Sequence, residues 1–302
     1  MSRDFNLRLK ELLPDLIISE QELMSKHTTF RIGGPADLYI APKANQIADV
    51  VNLCRQFGMP FFIIGNGSNL LVSDKGIRGV VIEIGKNCRE LHVEGQTMKA
   101  QAGVPLATLA AEACKHGLTG LEFASGIPGC LGGALVMNAG AYGGEMKQVV
   151  TEAVCLDEEG KEKILLPDEL EFGYRSSIFT KKKYIALSAT MKLSEGKSAE
   201  IRDRMNELNT QRRAKQPLEF PSAGSTFKRP EGYFAGKLIM DAGLAGYCVG
   251  GACVSEKHCG FVINKGGATA TDVKRLMEDV DRIVKEKFGV GLEPEVKLIG
   301  EF

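Results

Sequence analysis

The sequence predicts an α+β fold: a two-lobed domain of strands and helices, followed by a smaller α+β domain. Three observations carry this. Short apolar runs alternate with helical periodicity from Ala36 onward, and two hairpin patterns fall near residues 90–102 and 150–166. Near the end, one long stretch keeps its apolar residues on a single helical stripe.

Taken in order, Met1 to Leu13 interleaves charge with apolar residues, which predicts a short amphipathic helix and no secretory signal. A-D-L-Y-I-A-P (36–42) predicts a strand. Ile47, Val50, Val51 and Cys54 have helical spacing within Asn45 to Phe57, and P-F-F-I-I-G (60–65) is a buried strand. After a turn at Lys75-Gly76, G-V-V-I-E-I is another. Pro105 opens a helix through Lys115 that Gly117 closes, as a proline start and glycine stop require. Y-I-A-L-S-A-T-M-K-L (184–193) is a further strand. Ser198 to Arg213 predicts a charged connector helix ended by Pro217. The long helix runs from Asp272 to Phe288, with Val273, Leu276, Met277, Val280, Ile283, Val284 and Phe288 as its apolar face and Gly289 as its stop. E-V-K-L-I-G (295–300) is the last strand.

The 302 residues are 44% hydrophobic, enough for two or three packed domains. Lys plus Arg and Asp plus Glu both total 38, which leaves no electrostatic footprint for nucleic acid. No apolar run reaches the roughly 18 residues of a membrane helix. The eight cysteines read as reduced thiols of a cytoplasmic protein. Cys248, Cys253, His258 and Cys259 lie close in sequence but lack the paired spacing of structural zinc sites, so no metal is expected.

The most unusual segment is Ser125 to Gly144: seven of its twenty residues are glycine and none is charged. Glycine lets a ligand approach the main chain but costs conformational entropy, so this density needs a reason. It suits a large planar ligand whose diphosphate is held by backbone N–H groups. A second loop, G-N-G-S-N-L-L (65–71), follows a strand but has Leu70 where a dinucleotide fingerprint needs its third glycine. No P-loop is present. Two such loops can clamp a dinucleotide diphosphate between them.

H-T-T-F-R-I-G-G-P-A (27–36), G-N-G-S-N-L-L (65–71) and S-G-I-P-G-C-L-G-G-A-L-V-M-N-A-G-A-Y-G-G-E (125–145) together resemble the FAD-binding domain of the vanillyl-alcohol-oxidase (PCMH) type. With Y-R-S-S-I-F (174–179), G-S-T-F-K-R-P (224–230) and L-E-P-E-V-K-L-I-G (292–300), they resemble more closely the UDP-N-acetylenolpyruvoylglucosamine reductase family. The short stretch between Gly236 and Gly251 has no tyrosine-bearing insertion, so the likeness is to the shorter subtype. The resemblance implies residues 1–26 as an N-terminal helical segment and 27–195 as a two-lobed PCMH-type FAD domain. Residues 196–302 would hold the connector helix and a substrate-binding domain, whose final strand returns Glu295 to the active site.

The reaction so implied uses noncovalent FAD and NADPH to reduce UDP-N-acetylglucosamine enolpyruvate to UDP-N-acetylmuramate, a peptidoglycan precursor. It implies no nucleic-acid or membrane partner, a cytoplasmic location and a monomer. Hydride addition beside the carboxylate of an enol ether creates an enolate that must be stabilised and then protonated. Ser225 would donate the proton; Arg175 and Glu295 would stabilise the enolate. Taken alone, these three read as turn serine, ion-pairing arginine and edge-strand carboxylate; the resemblance reverses those readings. Cofactor contacts would come from Arg31, Gly65, Asn66, Gly67, Ser68, Asn69, Leu70, Ser125, Gly126, Ile127, Pro128, Gly129, Gly132, Gly133, Asn138, Gly140 and Ala141. Substrate contacts would come from Tyr174, Lys215, Arg229 and His258. Two other readings stand beside this one: an oxidase of the same fold using molecular oxygen, and a non-enzymatic sugar-nucleotide binder.

Overall fold

The computed structural model describes residues 3–302. The chain forms two compact units, neither of them a continuous stretch. One takes in Met1–Ser19, Leu38–Asn66 and Gly79–Arg212; the other, Glu20–Asp37, Gly67–Arg78 and Arg213–Phe302.

In the first unit, helix Arg3–Leu12 buries Phe5 and Leu9 in a cluster with Val50, Val51 and Cys54 of helix Ile47–Gln56. Phe5 meets Phe57 edge-on, with ring centroids 5.9 Å apart. Strand Phe61–Ile64 runs parallel to Val80–Glu83, with Phe61 opposite Val80. In sheet order the later strand Ile77–Glu83 lies between Pro35–Ile40 and Phe61–Ile64, a crossover that local patterning does not show.

Both expected hairpins form within one five-stranded antiparallel sheet. Leu91–Glu94 pairs with Thr97–Gln101, and Val150–Leu156 with Glu162–Leu165. Ile185–Lys192 joins the two, placing Ala189 opposite Ala153 on one side and Ala100 on the other. These small residues let helices Leu106–Lys115 and Leu131–Met137 pack on the sheet, in the cluster containing Leu109, Leu131 and Leu135. The glycine segment is therefore not loop throughout: L-G-G-A-L-V-M is a helix, closed at Asn138 in the left-handed conformation (φ +42°).

In the second unit, helix Ala270–Phe288 starts at Thr269, whose hydroxyl accepts from the Asp272 amide, and stops at Gly289 (φ +69°). Val273, Leu276, Met277, Val280 and Val284 are buried, each contributing about 2 kcal/mol. Phe288, expected on that face, is instead 40% exposed, because it lies in the final turn past the last core contact. The terminal strand Lys297–Ile299 runs parallel to Leu70–Val72. The connector helix, Ser198–Lys215, buries only Ile201 and Leu208.

The expectation of eight thiols fails at one place. Cys248 and Cys253 are directly opposite in the hairpin of Cys248–Val249 and Ala252–Val254, and they form a disulfide. Their register lies outside what cysteine spacing alone reveals.

Candidate active site

The glycine segment is held mostly by its own backbone. Gly132 and Leu131 donate to the carbonyls of Ala102 and Val104, and Leu106 donates to that of Gly129. Fewer amides are therefore open to a phosphate than the glycine count implies. The loop at 65–66 comes up against this segment. Asn66 Nδ2 donates to the Pro128 carbonyl at 3.1 Å, and a Cβ on Gly65 would stand 2.3 Å from Cys130 Sγ. Gly65 is thus required by contact between the two loops.

Gly126 answers to a residue that sequence reasoning missed. A Cβ there would meet Asn209 Oδ1 at 2.5 Å and Arg212 Nη1 at 3.0 Å, both from the connector helix. Arg212 Nε and Nη1 and Ser125 Oγ are shut off from water and bonded to nothing among the described residues. Burial pushes the Arg212 guanidinium below its usual value, but arginine stays charged at neutral pH. Each unpaired donor costs roughly 1–3 kcal/mol until an acceptor reaches it. A cation and a hydroxyl beside an uncharged glycine segment form a donor set suited to an anionic cofactor such as FAD. Only the charged pattern of the connector helix was visible in sequence, and that pattern reads as solvated.

At the segment's far end, Gly140–Ala141 pairs with Gly144–Glu145. Asn138 is 3% exposed, with its side chain fully engaged. It donates to Glu145 Oε2 (3.0 Å) and the Gly173 carbonyl (3.2 Å), and accepts from the Lys147 amide (2.9 Å). The Asn138 side chain therefore holds the turn and has no donor left over. Gly173 and Ser176 bridge to each other, making a tight turn of Tyr174 and Arg175. Arg175 takes φ +52°, rare for a residue with a side chain and frequent at functional sites. Its Nη1 reaches the Gly140 carbonyl at only 3.4 Å, and its guanidinium lies 5.7 Å from the ring of the exposed Tyr174. Ser177 ties this turn to the glycine helix by donating to the Val136 carbonyl at 2.8 Å.

The other two expected catalytic residues belong to the second unit, and there they are neighbours. The Glu295 amide donates to the Thr226 carbonyl at 2.8 Å, and Phe227 bridges Pro294, which sets the Ser225 segment beside the Glu295 strand. Gly224, at φ +77°, makes the turn before Ser225, whose hydroxyl has no hydrogen bond among the described residues. Glu295 is 8% exposed, and its carbonyl accepts from Asn69 Nδ2 at 3.1 Å. Within the second unit, Asn69 thus braces the backbone of Glu295. Ser68 and Leu70 are half-buried beside it. Gly67 packs on the His27 carbonyl.

His258 Nδ1 accepts from the Gly260 amide at 3.1 Å, which leaves Nε2 as the protonated nitrogen of the neutral ring. Burial lowers its pKa. The Arg229 guanidinium stacks 3.9 Å from the Phe234 ring centroid, while Nε donates to the Tyr233 carbonyl. Lys215 and Arg31 are exposed, Arg31 at φ +55°.

Likeness to known proteins makes the chain a flavoprotein oxidoreductase. A family model for an FAD-binding domain matches residues 35–165. Another, for the C-terminal domain of UDP-N-acetylenolpyruvoylglucosamine reductase, matches residues 216–299. The reductase of Agathobacter rectalis is 55% identical, covering 100% of both chains. That of Lachnoclostridium phytofermentans is 56% identical over 97% of this chain and 96% of its own. The solved reductase of Thermus caldophilus superposes with a TM-score of 0.81 at 34% identity, covering 94% of this chain and 100% of that one. The chain belongs to the UDP-N-acetylenolpyruvoylglucosamine reductase family. It is an enzyme of that family's reductase class, with FAD as cofactor and NADPH as reductant.

Proposed function

We propose that this chain reduces the enolpyruvyl double bond of UDP-N-acetylglucosamine enolpyruvate, with Arg175, Ser225 and Glu295 carrying the chemistry. Bound FAD supplies the hydride-transfer chemistry; the protein supplies placement and charge. Ser125, Arg212 and the loops at 65–70 and 125–133 hold the cofactor. Arg175 binds the substrate carboxylate with its planar fork, and its long bond to the Gly140 carbonyl is easily exchanged for a charged acceptor. It then stabilises the negative charge as the enolate forms. Ser225 gives its proton to the enolate carbon; the Glu295 amide on the Thr226 carbonyl, which sets the Ser225 segment beside that carboxyl residue, is the observation that supports this role most strongly. Glu295 holds or returns that proton. Tyr174, Lys215, Arg229 and His258 place the sugar nucleotide. The protein works in the cytoplasm as a monomer; among the described residues no helix is long and apolar enough to cross a membrane.

The anaerobic half-reactions test the reading. NADPH should bleach the yellow protein, and the enolpyruvyl substrate should restore its colour without oxygen. Recovery only on admitting oxygen would sink the reductase reading and favour an oxidase.

A further inference from the structure

Six of the cysteines, Cys54, Cys88, Cys114, Cys130, Cys155 and Cys259, are buried thiols. Burial pushes Cys54 up to about 12, and Cys88 and Cys155 up to about 11, so these thiols are inert nucleophiles at neutral pH. The joined pair is built differently. Cys248 is exposed on the edge of a two-strand hairpin, and Cys253, opposite it, is 3% exposed among Phe261 and Ile263.

We propose that Cys248 and Cys253 are a reversible modification site for low-molecular-weight disulfides, and that the bond clips the strands beneath Ser225. Closure begins when the Cys248 thiolate attacks one sulfur of the small disulfide and expels its first thiol. Cys253 then attacks the Cys248 sulfur of the mixed disulfide and expels the second. Two electrons pass from the protein pair to the small disulfide, and two small thiols leave. Opening retraces this path: a small thiolate attacks at Cys248, the sulfur within reach of solvent, and Cys253 departs.

Three observations make the bond a switch rather than a staple. The hairpin is already closed by backbone pairing: Gly246 donates to the Val254 carbonyl (3.1 Å) and Val254 to that of Tyr247 (2.9 Å). The cysteines are five positions apart, so the cross-link removes little entropy from the unfolded chain. In a cytoplasmic protein, the location on which this point rests, disulfides are usually transient or redox-sensing.

The link to Ser225 is short. Cys253 is opposite Ile263, which bridges Ser222. Thr226 donates from its amide to the Gly260 carbonyl (2.8 Å) and accepts at Oγ1 from the Val262 amide (2.9 Å). The pair and the Ser222–Thr226 segment thus share one strand, Val262–Asn264.

The test uses the full FAD-loaded chain, equilibrated in oxidised glutathione or in dithiothreitol, then denatured and alkylated. All eight cysteines should label after dithiothreitol. Only the six outside the pair should label after glutathione disulfide, with one peptide cross-linked at 248–253. Eight labelled in both, or a pair that dithiothreitol leaves intact in the folded protein, would overturn the site. Cys253→Ser should trap one glutathione on Cys248, whereas Cys248→Ser should trap none; the reverse pattern refutes the entry at Cys248. Amide exchange at Thr226 and Val262 should slow by about tenfold on oxidation, and equal rates would remove the clip. None of these readouts uses turnover, so the reductase reading stands or falls separately.

Discussion

The two units hold their candidate residues by opposite means. In the first, the glycine segment is placed through main chain: the amides of Leu131 and Gly132 donate to the carbonyls of Val104 and Ala102 respectively, and Asn66 Nδ2 to that of Pro128. In the second, the segment that carries Ser225 lies beside the buried Glu295 through an irregular pairing of Phe227 with Pro294 and the Glu295 amide on the Thr226 carbonyl. A segment placed by backbone is sensitive to any added atom, whereas one placed for chemistry is sensitive to a change of functional group. Shape fails in one unit and reactivity in the other.

The largest effect should test the chemical side. Ser225→Ala should lower turnover of the enolpyruvyl substrate by about 10²–10⁴-fold while leaving bleaching by NADPH nearly unchanged in stopped flow. Equal loss in both half-reactions would remove the proton-donor role. On the shape side, Gly126→Ala forces a methyl group against Asn209 and Arg212 and should cost roughly 1–3 kcal/mol in denaturant unfolding. Arg212→Met keeps the bulk and removes the charge. It should weaken FAD binding by about tenfold or more, read by flavin fluorescence, as expected for a lost charged hydrogen bond. Unchanged affinity would return Arg212 to a packing role.

Smaller still is the cap of the long helix. Asp74 accepts from the amides of Ala270 and Thr271, and Asp74→Ala should cost about 1 kcal/mol in chemical denaturation without touching flavin content. Last comes pH. Burial favours the neutral imidazole of His258, so its folded pKa lies below the unfolded value of about 6.5. This support is complete above that value and is lost as pH falls through the window below it, since the unfolded state then binds the extra proton. His258→Gln should flatten that slope in unfolding titrations at pH 5–7, and an unchanged slope would place the proton elsewhere.

Much of this was legible in the chain. The hairpins at 91–101 and 150–165 and the helix Ala270–Phe288 form because period and end signals agree locally: Thr269 starts the helix, Gly289 stops it, and its apolar stripe faces one core. The two polar-glycine loops pointed to a dinucleotide diphosphate, and the family resemblance narrowed it to FAD. Other features were hidden. The helix within the glycine segment contradicts glycine's own propensity and forms because Leu131 and Leu135 bury their side chains. Arg212 carried no periodic signal, and the three side-chain bonds of Asn138 have no local signature in the sequence.

The sequence by itself determined most of the elements, the family likeness and the chemical classes of the residues, because these depend on neighbours within a few positions. Tertiary structure alone decided which glycine answers to which side chain, that Cys248 meets Cys253, and that Ser225 lies beside Glu295. Those facts rest on contacts between residues far apart in the chain, such as Gly126 with Arg212, and on strand register, which no local pattern encodes.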